Sequence, residues 1–342
     1  QEGKKIPAEG RLYYRGFLIE DILKEFGKEK FFSFEKTMFL LLFGKIPTNF
    51  ELKMFNSTLK EYRTLPDEFI ENFILRQPSK DIMNQLQRTV LCLYTIDKNP
   101  DDTSLENLIN QALHLIAKFP SLLVYSYQAV NHKHFKQSFI IHNPVEEYSI
   151  AQNILHMLRA DSSFTALEAE ILDLILLIHA EHGGGNNSTF TSHVVSSTGT
   201  DTYSSVSASI GSLKGPLHGG ANCMVSNMIE DIKKNCSYTN EEFLKEYIRK
   251  IFMGEAFDRS GKVYGMGHAI YTLSDPRAVI LKKKAYELAK EKGQLEEFEL
   301  FSNVEKFTKE IGKELKGENF EICANVDLYS GFVYKLLNIP QN

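Results

Sequence analysis

Apolar residues along the first half of the chain recur at three- and four-residue intervals. Leu52, Phe55, Leu59 and Tyr62 make one stripe, and Ile171, Ile175 and Ile178 make another. A helix turns once in 3.6 residues, so this spacing gathers them on one helical face. Ser79 and Thr103 read as N-caps of segments ending near Asp97 and Phe119, because a short hydroxyl side chain accepts from the first free backbone N–H groups. Residues 145–159 are a further amphipathic stretch. So are residues 281–315, with Val304, Phe307, Ile311 and Leu315 on one side. The period-two alternation of strands is scarce. Glycine tells the same story: none lies between Gly44 and Gly183, and eight fall from Gly183 to Gly220. Glycine ends helices and bends tight turns, so the first stretch reads as packed helices and the second as loops. The fold class expected is all-α, with glycine-rich loops between Gly183 and Gly267 separating two helical blocks, where a cleft between a large and a smaller domain would lie.

Length and composition narrow the function. A chain of 342 residues is more than one small core needs. Lys and Arg number 39 against 44 Asp and Glu, a net charge of −5, whereas a nucleic-acid binder wants a basic face. The stretch Ile171 to Ile178 is interrupted by Asp173 and is too short to span a bilayer, so no membrane is expected. The four cysteines include no C-x-x-C pair, which suits reduced thiols in a reducing compartment. The sequence opens at Gln1 rather than Met, which leaves a targeting segment ahead of it an open question.

Four stretches carry candidate chemistry. In the first, His179-Ala-Glu-His182 precedes Gly183-Gly184-Gly185-Asn186-Asn187-Ser188-Thr189. His182 extends the isoleucine stripe and is expected at the helix C-terminus, where the helix dipole favours a cation. Both histidines also read as core or capping groups. A zinc site on the pair lacks a third ligand and the usual order of a metalloprotease helix. In the second, His218 sits between Gly215-Pro216 and Gly219-Gly220, in a loop that presents backbone amides and an imidazole to a ligand. The third is Gly265-Met266-Gly267-His268 followed by Asp275-Pro276-Arg277. Its Gly-x-Gly follows no strand, and Arg277 suits a carboxylate gripped bidentately or a surface position after a turn. In the fourth, Asp327 is the lone acid of Asn325-Val326-Asp327-Leu328-Tyr329-Ser330-Gly331, either a cap or a partly desolvated base. Three histidines, an arginine and an aspartate in glycine-punctuated loops suit acid–base chemistry on a small anionic substrate.

Taken in order, these four stretches resemble the signatures of the citrate synthase family, and Leu12-Tyr13-Tyr14-Arg15-Gly16-Phe17 with Ile19-Glu20-Asp21 is similar to its Tyr-Arg-Gly segment. The resemblance covers essentially the whole chain. It implies an almost wholly helical homodimer that condenses acetyl-CoA with oxaloacetate to citrate and free CoA, with no cofactor or metal, and that binds neither nucleic acid nor membrane. Its implied domains are 1–218 (large), 219–328 (small) and 329–342 (returning to the large one). It implies Asp327 as the base on the acetyl methyl, His218 as hydrogen-bond donor to the thioester oxygen, and His268 as polariser of the oxaloacetate carbonyl and proton donor. His182 and Arg277 would hold oxaloacetate with Asn186 nearby. Lys262, Val263, Tyr264 and Gly265 would lie along the CoA adenine. The motif wording looks bacterial, which implies the cytoplasm. Ala269 follows His268 where many bacterial members carry arginine. The family continues past Gly331 with helices that supply further arginines, so the sequence ending at Asn342 is expected to be truncated. Alternatives are a 2-methylcitrate synthase using propionyl-CoA, a non-catalytic paralogue binding oxaloacetate or CoA, and a zinc hydrolase built on His179 and His182.

Overall fold

A computed structural model describes residues 7–27, 31–216 and 218–341. Among them are fifteen α-helices and one two-stranded antiparallel ribbon, in which Tyr13 pairs with Leu18 and Tyr14 with Phe17. No described helix is long and apolar enough to cross a membrane. The chain divides into two compact units, one of residues 13–218 and one of residues 7–12 with 219–341.

The unit 13–218 is built from long buried helices. The helix Asn49–Tyr62 starts at Thr48 with a reciprocal cap to Glu51 and buries Leu52, Phe55 and Leu59, as its stripe requires. Two caps fall a little later than the sequence suggests. Asp81 rather than Ser79 caps Ile82–Cys92, and Ser104 rather than Thr103 caps Leu105–Phe135. The latter helix does not stop near Phe119: it runs 31 residues straight through Pro120. An internal proline costs roughly 3 kcal/mol. Here Ala117 on one side and Leu122, Val124 and Tyr125 on the other are buried in apolar clusters, and that packing outweighs the penalty.

A buried carboxyl pair ties this unit together. Asp173 accepts from the backbone N–H of Ser33 at 2.9 Å and of Phe34 at 3.1 Å, at the start of the helix Ser33–Phe43. Glu35 accepts from the N–H of Ile150 at 2.7 Å, and its other oxygen is buried without a partner. Burial, then the Asp173 charge, pushes Glu35 up to about 8. Asp173 has two N–H donors and Lys36 to hold its charge, so Glu35 is the member that keeps the proton.

In the other unit, helices Ala221–Asn235 and Pro276–Glu291 each pack on Val326–Leu336, and Glu241–Phe252 packs on Leu295–Lys316. The segment expected to be helical, 281–315, falls in two helices, Pro276–Glu291 and Leu295–Lys316, broken at Gly293, whose φ of +67° a helix cannot continue through. Residues 329–341 group with 219–328, not with 13–218. The reason is local: Val326–Leu336 is one unbroken helix, so a boundary after residue 328 would cut it near its start.

Candidate active site

In the unit 13–218 the candidate residues follow the helix Ala166–His179. Thr165 caps that helix, and Glu168 returns the bond to the Thr165 N–H at 2.8 Å while pairing with Arg159 at 2.7 and 2.9 Å. The helix ends at His179, whose Nδ1 donates to the Ile175 carbonyl at 2.8 Å. His182 therefore lies beyond the helix rather than on its last turn, because Ala180 closes the helix and Gly183 at φ +76° turns the chain away. It is half-buried in the loop. Gly183, Gly184 and Gly185 are exposed, and a Cβ at any of them would meet nothing within 4 Å. Packing does not demand the triple glycine, and open space remains around it.

Asn186 is committed to its own loop. Its amide oxygen accepts from the Thr189 N–H at 2.9 Å, capping the helix Asn187–Ser196, and its amide nitrogen donates to the Gly183 carbonyl and to Thr189 Oγ1. It shapes the loop on which His182 sits.

His218 has a polar partner that sequence reasoning assigned no role. Its Nε2 lies 2.9 Å from Ser188 Oγ, which in turn lies 3.1 Å from the Ser209 carbonyl. The hydroxyl has a single hydrogen. Given to the carbonyl, it makes Ser188 an acceptor for Nε2–H. Given to Nε2, it leaves the ring hydrogen on Nδ1, free for a ligand. Leu217, next in that loop, lies outside the described residues.

The unit with 219–341 brings its candidates together through two locks. Asp275, fully buried, holds Arg277: its oxygens accept from Nε at 3.1 Å and from a terminal nitrogen at 2.8 Å, while Oδ1 also caps the helix at the Arg277 N–H. Pro276 at the first helical position makes this start a sequence-legible one. The guanidinium is itself buried and comes within 3.4 Å of His268 Nε2. His268 Nδ1 accepts from the N–H groups of Ile270 and Tyr271 at 3.1 and 3.2 Å. A neutral ring with Nδ1 accepting carries its hydrogen on Nε2. Burial, with Arg277 adding to it, holds this histidine below its usual value, while Asp275 and Asp327 pull the other way.

Asn325 is the second lock. Its side chain donates to the Gly267 carbonyl at 2.9 Å and accepts from the Asp327 N–H at 3.0 Å, and its own N–H donates to the Gly265 carbonyl. The loop bearing His268 is thereby zipped to the start of the helix bearing Asp327. Gly265 sits at φ +80° with the Leu328 backbone so close that a Cβ would lie 2.8 Å from it. Along this loop Lys262 is exposed, Val263 buried and Tyr264 half-buried, its hydroxyl on Asp258 at 2.6 Å. Asn325, not Asp327, caps the helix Val326–Leu336. Ser188 carried no signal in the sequence, since its partners lie 21 and 30 residues away. Among the described residues, no cluster of three or more His, Cys, Asp or Glu side chains is arranged to hold a metal ion.

The comparisons with known proteins define the class. A family model described as citrate synthase, C-terminal domain, matches residues 2–342, and the chain belongs to the citrate synthase family of enzymes. A citrate synthase of Haloferax volcanii is 33% identical over 335 residues, covering 97% of this chain and 80% of that protein. A 2-methylcitrate synthase of Shewanella oneidensis is 30% identical over 329 residues, covering 96% and 78%. The crystal structure of citrate synthase from Pyrobaculum aerophilum superposes with a TM-score of 0.80 at 28% identity, covering 97% of this chain and 78% of that one.

Proposed function

We propose that this chain condenses acetyl-CoA with oxaloacetate to give citrate and CoA. The observation that carries the reading is the half-buried His268, its Nδ1 accepting from two backbone N–H groups, with the buried Arg277 guanidinium 3.4 Å from its Nε2 and the Asp327 charge acting on it. Arg277 binds a carboxylate of the keto acid, with His182 as a second contact. Asp327 removes a methyl proton from the thioester, and the electron pair moves onto the carbonyl oxygen. His218, in the tautomer with Ser188 donating to Nε2, supports that oxygen from Nδ1–H. The enolate carbon then attacks the ketone, whose oxygen takes the proton of His268 Nε2, and the proton held by Asp327 is returned through solvent to the His268 ring. Water finally cleaves the thioester, releasing CoA. A thioester methyl is a very weak acid, so donors placed where charge develops matter more than the base alone. The loop from Lys262 to Gly265 takes the CoA adenine, no metal or other cofactor enters, and the working assembly is a homodimer.

The test is oxaloacetate-dependent thiol release from acetyl-CoA. No release from folded protein, with His218, His268 and Asp327 all intact, would sink the reading and favour a non-catalytic binder. A second reading, propionyl-CoA as substrate, is favoured by relatives named 2-methylcitrate synthase at 30% identity. One methylene is worth only about 1–3 kcal/mol in a pocket, so both thioesters belong in the assay.

A further inference from the structure

The residues nearest the start of the described chain lie against the loop that joins His268 to Arg277. Ala8 and Thr272 meet twice, the Ala8 N–H donating to Thr272 Oγ1 and that hydroxyl lying 3.4 Å from the Ala8 carbonyl. The Gly10 N–H donates to Ser274 Oγ at 3.1 Å, and the same hydroxyl bonds the Glu9 carboxylate. Gly10 has no room for a side chain. A Cβ there would overlap the Ser274 carbonyl oxygen, stand 2.7 Å from the Tyr271 ring and 2.9 Å from the Pro276 ring. Gly10 thus touches both halves of the apparatus. Tyr271 donates its N–H to His268 Nδ1, and its ring lies 4.6 Å from the imidazole centroid. Ser274 and Pro276 flank Asp275, the carboxylate that holds Arg277.

We propose that residues 8–10 are a positioning clamp for the oxaloacetate subsite: by pinning residues 271–276 they aim His268 Nε2 and the Arg277 guanidinium at the keto acid. The inference rests on the proposed function for the identity of that ligand. It concerns residues remote in sequence from every stretch that carried candidate chemistry. Its physical content is that an added methyl at Gly10 cannot be absorbed by a flexible side chain, because the nearest atom is a backbone carbonyl. The loop moves instead, and both polar groups move with it.

The test uses the whole chain with Gly10→Ala and Ser274→Ala. A displacement of about 1 Å at a reacting group costs about 100-fold, so Gly10→Ala is expected to lose about that in kcat/KM for oxaloacetate, with the KM for acetyl-CoA held within about twofold. Ser274→Ala removes hydrogen bonds without a clash and is expected to shift oxaloacetate KM the same way by about tenfold or less. Nitrogen NMR of the His268 ring reads the clamp without any turnover: Gly10→Ala is expected to shift Nδ1 from its hydrogen-bonded position. An unchanged kcat/KM for oxaloacetate in both variants overturns the clamp, as does an equal rise in KM for both substrates. Should Gly10→Ala fail to fold, Ser274→Ala alone decides. Should the wild type release no CoA, the proposed function falls, and an unchanged His268 spectrum in Gly10→Ala would then overturn the clamp separately.

Discussion

The two units hold their candidate residues by different means. In the unit with 219–341, charged and polar side chains are locked to one another and to backbone: Asp275 grips Arg277, and Asn325 ties the His268 loop to the Asp327 helix. In the unit 13–218, His182 sits on a loop of three exposed glycines, and Asn186 spends its amide shaping that loop. There the His218 ring meets the Ser188 hydroxyl, and its backbone N–H donates to the Gly215 carbonyl. The first arrangement is preorganised, so its polar groups pay their ordering cost during folding. The second keeps space and conformational freedom for a ligand to order.

Breaking the rigid half should cost most. Asp327→Asn keeps size but removes the proposed base, and CoA release is expected to fall about 100- to 10,000-fold with the melting temperature nearly unchanged. Unaltered turnover would remove Asp327 from the chemistry. Asp275→Ala takes the carboxylate from a buried guanidinium and deletes a helix cap, so thermal unfolding should show a loss of about 3–5 kcal/mol. Isothermal binding should show weakened oxaloacetate affinity as well. If Arg277 is instead able to swing to solvent, the stability loss will be under about 1 kcal/mol.

The looser half should respond more gently. Ser188→Ala is expected to lower turnover by about tenfold or less, the worth of one neutral hydrogen bond, and to move the tautomer signal of His218 in its nitrogen spectrum. A loss near 1,000-fold would mean that Ser188 touches substrate itself. Smallest is a pH effect far from any ligand. Glu35 keeps its proton in the folded chain up to about 8, whereas the unfolded chain releases it near 4.5. Between those values the folded state binds more protons, so this group makes stability decline as pH rises. Glu35→Gln should flatten the fall of melting temperature between about pH 5 and 8. An identical slope would show that Glu35 ionises normally.

Much of the fold was legible because it is helical and amphipathic. Leu52, Phe55 and Leu59 are buried as their spacing requires, and the scarcity of alternation matched a structure with a single short ribbon. The exceptions share a cause. Pro120 sits inside a helix because neighbours from other segments bury its flanks, and no local rule contains those neighbours. His182 left its helix because Ala180 and the positive φ of Gly183 ended the helix early, although the stripe continued in phase.

At the candidate site the division is sharper. Residue type and order alone pointed to the family, since four motifs in sequence lead to it and its family model matches residues 2–342. Which nitrogen of His268 carries the proton was decided only in three dimensions, by two backbone N–H groups and the burial around them. So were the Ser188 hydroxyl at His218 and the contact of Gly10 with Tyr271, Ser274 and Pro276. The Ser188–His218 and Gly10 contacts join residues 30 to 266 positions apart. A sequence pattern records the preferences of neighbours along the chain, whereas hydrogen-bond partners and steric limits are set by whatever the fold places within a few ångströms.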